Sequence, residues 1–486
     1  MHVNFNQRAK KTDRRRPTEE KRKPPRPATA RDVSLRMGLL AFKRLLRQTQ
    51  LRLAVKKADV CFYDRIFTPV VTLWYMIFQR LNSDHTLQAA VVDLHKGGAD
   101  RLSPGGRPPL SKRITSLATT AFSNARARLP LALFPTVLGA QAQDICREAR
   151  GCQWLGLRVL LLDGSQISLR PHPGVVERFE PSANQNGKAY WILMRVVATF
   201  CLHTGIVVAS AAGATSVPEQ ALACRQILGG LAGCLYLGDR NFGIFWVVQS
   251  VLDAQAQCLF RLTKSRAGKL AGRGRRLRRC GDYSVTWRPS AADLCHPECR
   301  PHALNGRLIV AQYKRHGFRT RWIYLFTTLT DADTYSAQQL LDLYAARWQV
   351  ELDLRYLKTQ MNLGQLECKS ADMAEKEWMA GLMAYNLVRA LMMSAALRKG
   401  LNPVLLSFSA TRRLLLCWLQ GPNTWGRLSN SWANLLQSVA ASRLPLRLKP
   451  RPPEPRAKRH KRETFPPLRG SRAIARRHLE RFIAKS

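Results

Sequence analysis

The sequence predicts an α/β protein of more than one module, on three observations. Between Arg158 and Lys264 the segments read strand, strand, strand, helix, strand, helix, strand. A helix of roughly 25 residues is predicted to begin at Ser336, which forms a capping box with Gln339, and to stop at Asn362 and Gly364. The chain has 486 residues, more than one hydrophobic core usually holds.

The elements follow in order. Met1 to Val33 is rich in Arg, Lys and Pro, so it is expected to be disordered and to hold phosphate non-specifically, with a targeting sequence or a solubilising tail as the plainer alternative. From Ser34 to about Leu138 the periodicity is helical: LRMGLLAFKRLLRQTQLRLAVKKA is amphipathic and basic, and TPVVTLWYMIFQRL reads as a buried helix. The strands of the central region are VLLLDGSQISL, WILMRVVATFCL, GIVVASAA, CLYLGD and QCLFRLTK. Pro218 opens the helix between the third and fourth, and Gly229-Gly230 closes it. About 112 residues separate Asp239 from Glu351, more than one helix and one strand need. The surplus, Ser265 to Ile323, reads as short strands joined by basic turns, in which Arg273, Arg275, Arg276, Arg278 and Arg279 either grip a phosphate backbone or solubilise a loop. KEWMAGLMAYNLVRALMMSAAL is apolar around most of its circumference and should be a buried helix. Ser429 to Ala441 is a further helix and a candidate dimer contact, and from Leu444 a flexible Pro- and Arg-rich extension is expected.

Composition narrows the partner. Net charge is +46, from 78 basic against 32 acidic residues, which implies a polyanion. The basic residues are spread along the chain rather than gathered on one amphipathic helix, so nucleic acid is favoured over membrane. No signal peptide or apolar run of 18 residues appears, and a soluble, cytoplasmic protein is expected. The 12 cysteines lie mostly in apolar segments, Cys201, Cys234, Cys258 and Cys417 among them, as reduced core thiols do. Cys280, Cys295, His296, Cys299 and His302 form a cluster without paired CxxC knuckles, and whether it binds metal stays open.

The candidate chemistry centres on LDLYAARWQVELDLRYLKTQ, which starts at Leu341. At 100° per residue, Tyr344, Arg347, Glu351 and Lys358 fall within one arc of about 60°, beside an apolar stripe of Leu343, Ala346, Val350, Leu354 and Leu357. Asp353 lies about 160° from Glu351 and should not substitute for it. Alone, a Glu flanked by Arg and Lys reads as a surface salt bridge. Asp163 and Asp239, however, each end an apolar strand run, where a strand leaves the core and turns. Three carboxylates, two from strands and one from a helix, are what a pair of divalent ions needs for in-line phosphoryl transfer.

The order Asp163, Asp239, Glu351 and the spacing Y-x2-R-x3-E-x6-K resemble the DDE transposases of bacterial insertion sequences, in particular the insertion-sequence-four type. Asp239-Arg240 followed by Phe242, the run from Ser123 to Pro130, and AYNLVRALM from Ala384 to Met392 add to the resemblance, which covers roughly Thr68 to Met393. It implies a ribonuclease H-like mixed sheet with flanking helices, interrupted by an inserted mainly-β subdomain and preceded by an N-terminal helical region. The boundaries expected are 1–33 basic tail, 34–150 helical DNA-end-binding region, 151–264 first part of the core, 265–325 basic β insert, 326–400 second part with the catalytic helix, 401–443 helical region and 444–486 basic tail.

The resemblance also implies metal-dependent cut-and-paste transposition. Asp163, Asp239 and Glu351 would bind two Mg²⁺ ions, with Mn²⁺ as substitute: Asp163 and Asp239 one, Asp163 and Glu351 the other. Tyr344, Arg347 and Lys358 would hold DNA phosphates, with Arg240 a weaker candidate. Trp322 corresponds to a tryptophan that stacks on a flipped base, although core packing explains it more simply. The partners implied are double-stranded DNA, as terminal inverted repeats and target, and a second copy of the chain in a synaptic complex on the bacterial nucleoid. The helical signature is associated with a hairpin intermediate, which this sequence leaves open. Two other readings remain: a catalytically inactive, domesticated DNA-binding descendant, and a structural or RNA-associated basic protein.

Overall fold

The computed structural model describes residues 62, 65–103, 106–149, 153–181, 183–184, 187–188, 191–230, 232–278, 281–313, 321–420, 428–444 and 471–484. The expected N-terminal tail, the basic amphipathic segment after it and residues 445–470 lie outside them.

Among the described residues, the longer helices ahead of the first strand are α1 (Pro69–Leu81), α2 (Leu87–His95), α3 (Thr120–Arg128) and α4 (Leu133–Glu148). The Thr68 hydroxyl caps α1 by accepting from the Val71 N–H, with Pro69 in the first turn, where its missing N–H costs nothing. The strand β1 (Arg158–Leu169) then opens a meander with β2 (Ile192–Cys201) and β3 (Val207–Ala214), both turns antiparallel. The helix α5 (Glu219–Leu228) crosses to β4 (Cys234–Gly238), parallel to β1, and α6 (Phe245–Asp253) crosses to β5 (Gln257–Arg261), parallel to β4. The order β3-β2-β1-β4-β5 is that of a ribonuclease H-like sheet.

The insert does not form a sheet of its own. After α7 (Lys264–Ala271), the strands β6 (Arg275–Arg278), β7 (Asp282–Trp287), β8 (Leu304–Tyr313) and β9 (Arg321–Thr327) make an antiparallel series, and β9 pairs with β5. With β10 (Gln365–Leu366) beside β1, these strands form a ten-stranded sheet; Ala183–Asn184 and Gly187–Lys188 pair separately. A buried forked ion pair pins the extension: Arg307 on β8 donates to both Asp282 oxygens, at 2.7 and 2.6 Å.

Alternation along the strands divides the core in two. Val159 and Leu161 of β1, Leu235 and Leu237 of β4 and Leu259 of β5 face one cluster; Leu160, Leu162, Tyr236, Cys258 and Phe260 face the other, against α5 and α6. The first cluster takes the helical layer: α8 (Ala337–Ala345), α9 (Gln349–Arg355), α10 (Ala371–Lys399), α11 (Phe408–Gln420) and α12 (Leu428–Ala441). By length and composition α10 passes for a membrane span, but 89% of its most apolar stretch is buried in this fold. It also ties in the N-terminal helices, since Glu377 accepts from Arg80 of α1 and Arg126 of α3. A last helix, α13 (Arg472–Ile483), lies where a flexible extension was expected; the stretch lacks Pro and Gly and is rich in helix formers. Cys146, Cys201, Cys224, Cys234, Cys258 and Cys368 are buried and free, whereas Cys417, expected in the core, is exposed.

Candidate active site

The sheet register brings the two aspartates together. Leu161 of β1 pairs with Leu237 of β4 in parallel, so Asp163 and Asp239, each two residues further on, come side by side on the face of Val159, Leu161, Leu235 and Leu237. Asp239 follows the end of β4, as expected. Asp163 does not end its strand: β1 continues to Leu169, held by β2, and only its pairing with β4 stops at Leu161. The carboxylate sits where the parallel neighbour falls away, which opens the sheet at that point.

The helix facing them departs from the uniform winding the sequence predicts. After α8, Ala346–Trp348 is 3₁₀, α9 is α-helical and Tyr356–Gln360 is a π-helix. Residues advance by about 120° in a 3₁₀ turn and by less than 100° in a π turn, so the single 100° wheel does not describe the run from Tyr344 to Lys358. Tyr344 is buried at the end of α8, Arg347 lies in the 3₁₀ turn, Glu351 in α9, and Lys358, half-buried, in the π segment.

Arg347 joins the two halves. Its Nη2 donates to Glu351 Oε1 at 3.2 Å, and its guanidinium lies 5.9 Å from the centre of the Tyr344 ring. Burial works against its charge, yet the Tyr344 phenol and the Asp163, Glu351 and Asp239 carboxylates hold its pKa above the usual value. Burial pushes Asp163 up to about 6, with Asp239 and Glu219 adding to the rise and the Gly164 N–H and Arg347 opposing it. Burial likewise pushes the Tyr344 phenol to about 12, so it stays a hydrogen-bond donor at neutral pH. Asp239 Oδ1 accepts from the Asn241 N–H at 2.8 Å.

The donor set suits a hard divalent cation: oxygen-only carboxylates, adjacent at Asp163 and Asp239 and partly desolvated. Glu351 is the unfinished part, because it is bonded to Arg347, and among the described residues no three His, Cys, Asp or Glu side chains are gathered tightly enough to hold one ion. Only Oε1 of Glu351 is engaged by Arg347, and the side chain is 37% exposed.

The remaining candidates are spread out. Arg240 is exposed just past Asp239. Trp322, on β9, is 49% exposed, so core packing does not account for it. His296 stacks on Trp246 at 3.8 Å between ring centres, and Cys295 is exposed. Asp353 faces away from the carboxylates, where it is buried and paired with Arg389. Sequence reading missed Arg389, Glu219 and Asn241; the AYNLVRALM run contains Arg389, but nothing in it names a partner 36 residues away.

The family profile described as Transposase DDE domain matches residues 154–387, a span that contains Asp163, Asp239 and Glu351. Transposase InsG for insertion sequence element IS4 of Escherichia coli (strain K12) is 26% identical over 364 residues, covering 72% of this chain and 77% of that protein. The transposase for insertion sequence element IS421 of Escherichia coli is 38% identical over 66 residues, 14% of this chain and 18% of that protein. Among solved structures, the piggyBac transposase synaptic complex with hairpin DNA aligns at a TM-score of 0.38 and 14% identity, covering 82% of this chain and 84% of that one.

Proposed function

The chain belongs to the DDE transposases of the insertion-sequence-four type, enzymes that cleave DNA and transfer strands, and from that we propose that Asp163, Asp239 and Glu351 are its catalytic carboxylates. The observation that carries the assignment is that Asp163 on β1, Asp239 just past β4 and Glu351 on α9 all act on one guanidinium, that of Arg347, which Glu351 bonds directly.

Dependence on a divalent metal follows from the family; Mg²⁺, with Mn²⁺ as substitute and two ions per site, is our reading of the donor set. Such ions, when bound, supply charge neutralisation at the phosphate and a nucleophile at neutral pH. Asp163, Asp239 and Glu351 would hold them. Arg347, freed from Glu351, presents a forked donor to a phosphate, Lys358 a point charge, Tyr344 one O–H, and Arg240 an exposed cation beyond the second aspartate. In the first step water attacks phosphorus and the bond to the 3′ oxygen breaks, leaving a 3′-hydroxyl and a 5′-phosphate. In the second that hydroxyl, in the same site, attacks a phosphorus of the target as the target's own bond from phosphorus to its 3′ oxygen breaks; the attacking hydroxyl gives up its proton and the departing 3′ oxygen takes one up, leaving a new phosphodiester and a free target 3′-hydroxyl.

The partner is DNA. Terminal inverted repeats and a target duplex as the two substrates, recognition of the ends by residues 34–150, phosphate grip by the 265–325 insert, and a homodimer holding both ends are proposed with it, as is a cytoplasmic, nucleoid-bound location. Trp322 on β9 is exposed enough to stack on an unpaired base.

The test is cleavage of DNA carrying the repeats that flank the gene, with Mg²⁺ or Mn²⁺, by the protein and its Asp239→Asn and Glu351→Gln variants. Nicking at the repeat boundary that is lost in both variants is expected. Nicking that persists in either one refutes the assignment; binding without nicking under any metal points to the inactive, domesticated reading.

A further inference from the structure

We propose that Asn241, held by Glu219 and Gln220, is a positioning residue that aims the Asp239 carboxylate at the metal; this rests on the catalytic reading above. Asp239 lies in a turn outside the sheet, where a carboxylate has no ladder to fix it. Its Oδ1 takes the Asn241 N–H at 2.8 Å, and Phe242 N–H closes the turn on the Asp239 carbonyl at 3.2 Å. Asn241 is in turn gripped through its side chain from the first turn of α5. Its Nδ2 donates to Glu219 Oε2, and Gln220 Nε2 donates both to Asn241 Oδ1, at 2.7 Å, and to the Asn241 carbonyl, at 3.0 Å. Nothing in the separate crossover that carries α5 requires contact with this turn, yet three side-chain bonds converge on one exposed asparagine.

A second observation ties the same grip to the other aspartate. The Glu219 carboxyl lies against Gly164, the residue after Asp163: a Cβ on Gly164 would fall 2.5 Å from Glu219 Oε1 and 2.6 Å from its Cδ. Gly164 does not have positive φ, so its small size rather than its backbone freedom is what the site uses. A side chain at position 164 would therefore push the Glu219 carboxyl from the place where it meets Asn241. Fixing the orientation of a metal-binding carboxylate through an outer hydrogen bond typically changes metal affinity by about 10- to 100-fold.

The test uses the full-length protein and titrates Mn²⁺ calorimetrically without DNA, alongside cleavage rate against Mg²⁺ concentration and thermal melting. Glu219→Ala, Asn241→Ala and Gly164→Ala, the last displacing Glu219, should each weaken Mn²⁺ binding about tenfold and raise half-saturating Mg²⁺ about as much. The rate at saturating metal should stay within a few-fold of wild type. Glu219→Gln keeps an oxygen to accept from Asn241 and should restore most of the affinity. Unchanged Mn²⁺ affinity in Glu219→Ala and Asn241→Ala overturns the proposal, and so does Glu219→Gln as weak as Glu219→Ala, which would make Glu219 a ligand through its charge. Should a variant melt early, Gln220→Met, which removes the two Gln220 bonds to Asn241 and leaves Glu219 in place, replaces it with the same direction expected. Asp239→Asn is the control for the site itself: if it too binds Mn²⁺ normally, the catalytic reading fails rather than the positioning one.

Discussion

Replacing Arg389 by Met should cost the fold about 3–5 kcal/mol and slow cleavage with it. Arg389 on α10 and Asp353 on α9 have side chains only 2% and 1% exposed, and they bond each other. The Arg389 Nε donates to Tyr385 Oη at 2.7 Å, and that phenol donates on to the Gly205 carbonyl at 2.9 Å. The guanidinium lies 5.3, 5.4 and 5.5 Å from the ring centres of Tyr385, Tyr356 and Phe408. Burial drives the Asp353 carboxyl above its usual range, with Arg389 pulling against it, and one Asp353 oxygen has no hydrogen-bond partner. Removal of the guanidinium therefore strands a charge, and that desolvation dominates the cost. Taking about 3 kcal/mol per molar urea for a chain of this size, the midpoint should fall by roughly 1–1.7 M. Asp353→Leu with Arg389→Met removes both charges and should recover most of the loss, because a buried pair adds little beyond apolar packing. Asp353 is two residues from Glu351, so nicking should track the midpoint across the cycle. A fall under about 0.3 M in the single variant, or a double variant that costs the sum of the singles, refutes the reasoning.

Three shorter predictions follow. The folded pKa of Asp163 lies near 6, above its ordinary 3.8, so the metal-free fold holds that proton more tightly than the unfolded chain, and the resulting penalty is full above pH 6 and relieved as pH falls toward 4. Asp163→Asn should accordingly melt higher than wild type in EDTA at pH 7.5, with the gap closing by pH 4; an unchanged or lower melting point at pH 7.5 contradicts this. Trp322→Ala should cost less than about 1 kcal/mol of stability, since the ring is 49% exposed, while DNA-end processing drops; a loss of several kcal/mol in urea would return Trp322 to the core. Arg307→Lys keeps the charge but loses the fork that spans Asp282 and the bond to the Tyr335 carbonyl, so the midpoint should fall by the equivalent of about 2–4 kcal/mol, and limited proteolysis should cut first within 275–327; resistance equal to wild type rejects it.

Much of the site was legible because it obeys short-range rules. A strand alternates sides with every residue, so apolar runs ending near Asp163 and Asp239 already put both carboxylates on or at the end of strands, and the Y-x2-R-x3-E-x6-K spacing singled out one helix. The winding of that helix was not legible. A 3₁₀ turn at Ala346–Trp348 and a π segment at Tyr356–Gln360 both have ordinary helical residues, and their winding answers to packing against the sheet and α10. Trp322 illustrates the same limit, for strand periodicity does not say which face of β9 another layer covers.

What the sequence determined by itself was the inventory and its order: an α/β succession of strands and helices, a basic surplus between Asp239 and Glu351, and a charge that demands a polyanion, while the mixed sheet with helical flanks came from the family resemblance. Periodicity, caps and composition act over a few residues, and they survive without knowing the fold. The tertiary structure alone decided which groups meet. Asp163 beside Asp239 depends on the register of β1 with β4; Arg347 among three carboxylates depends on how the broken helix lies on that sheet; Glu219 against Gly164, and Arg389 under Asp353, join residues 55 and 36 positions apart. Such contacts carry no local signature, because any buried charge or missing side chain is meaningful only once its neighbour is in place.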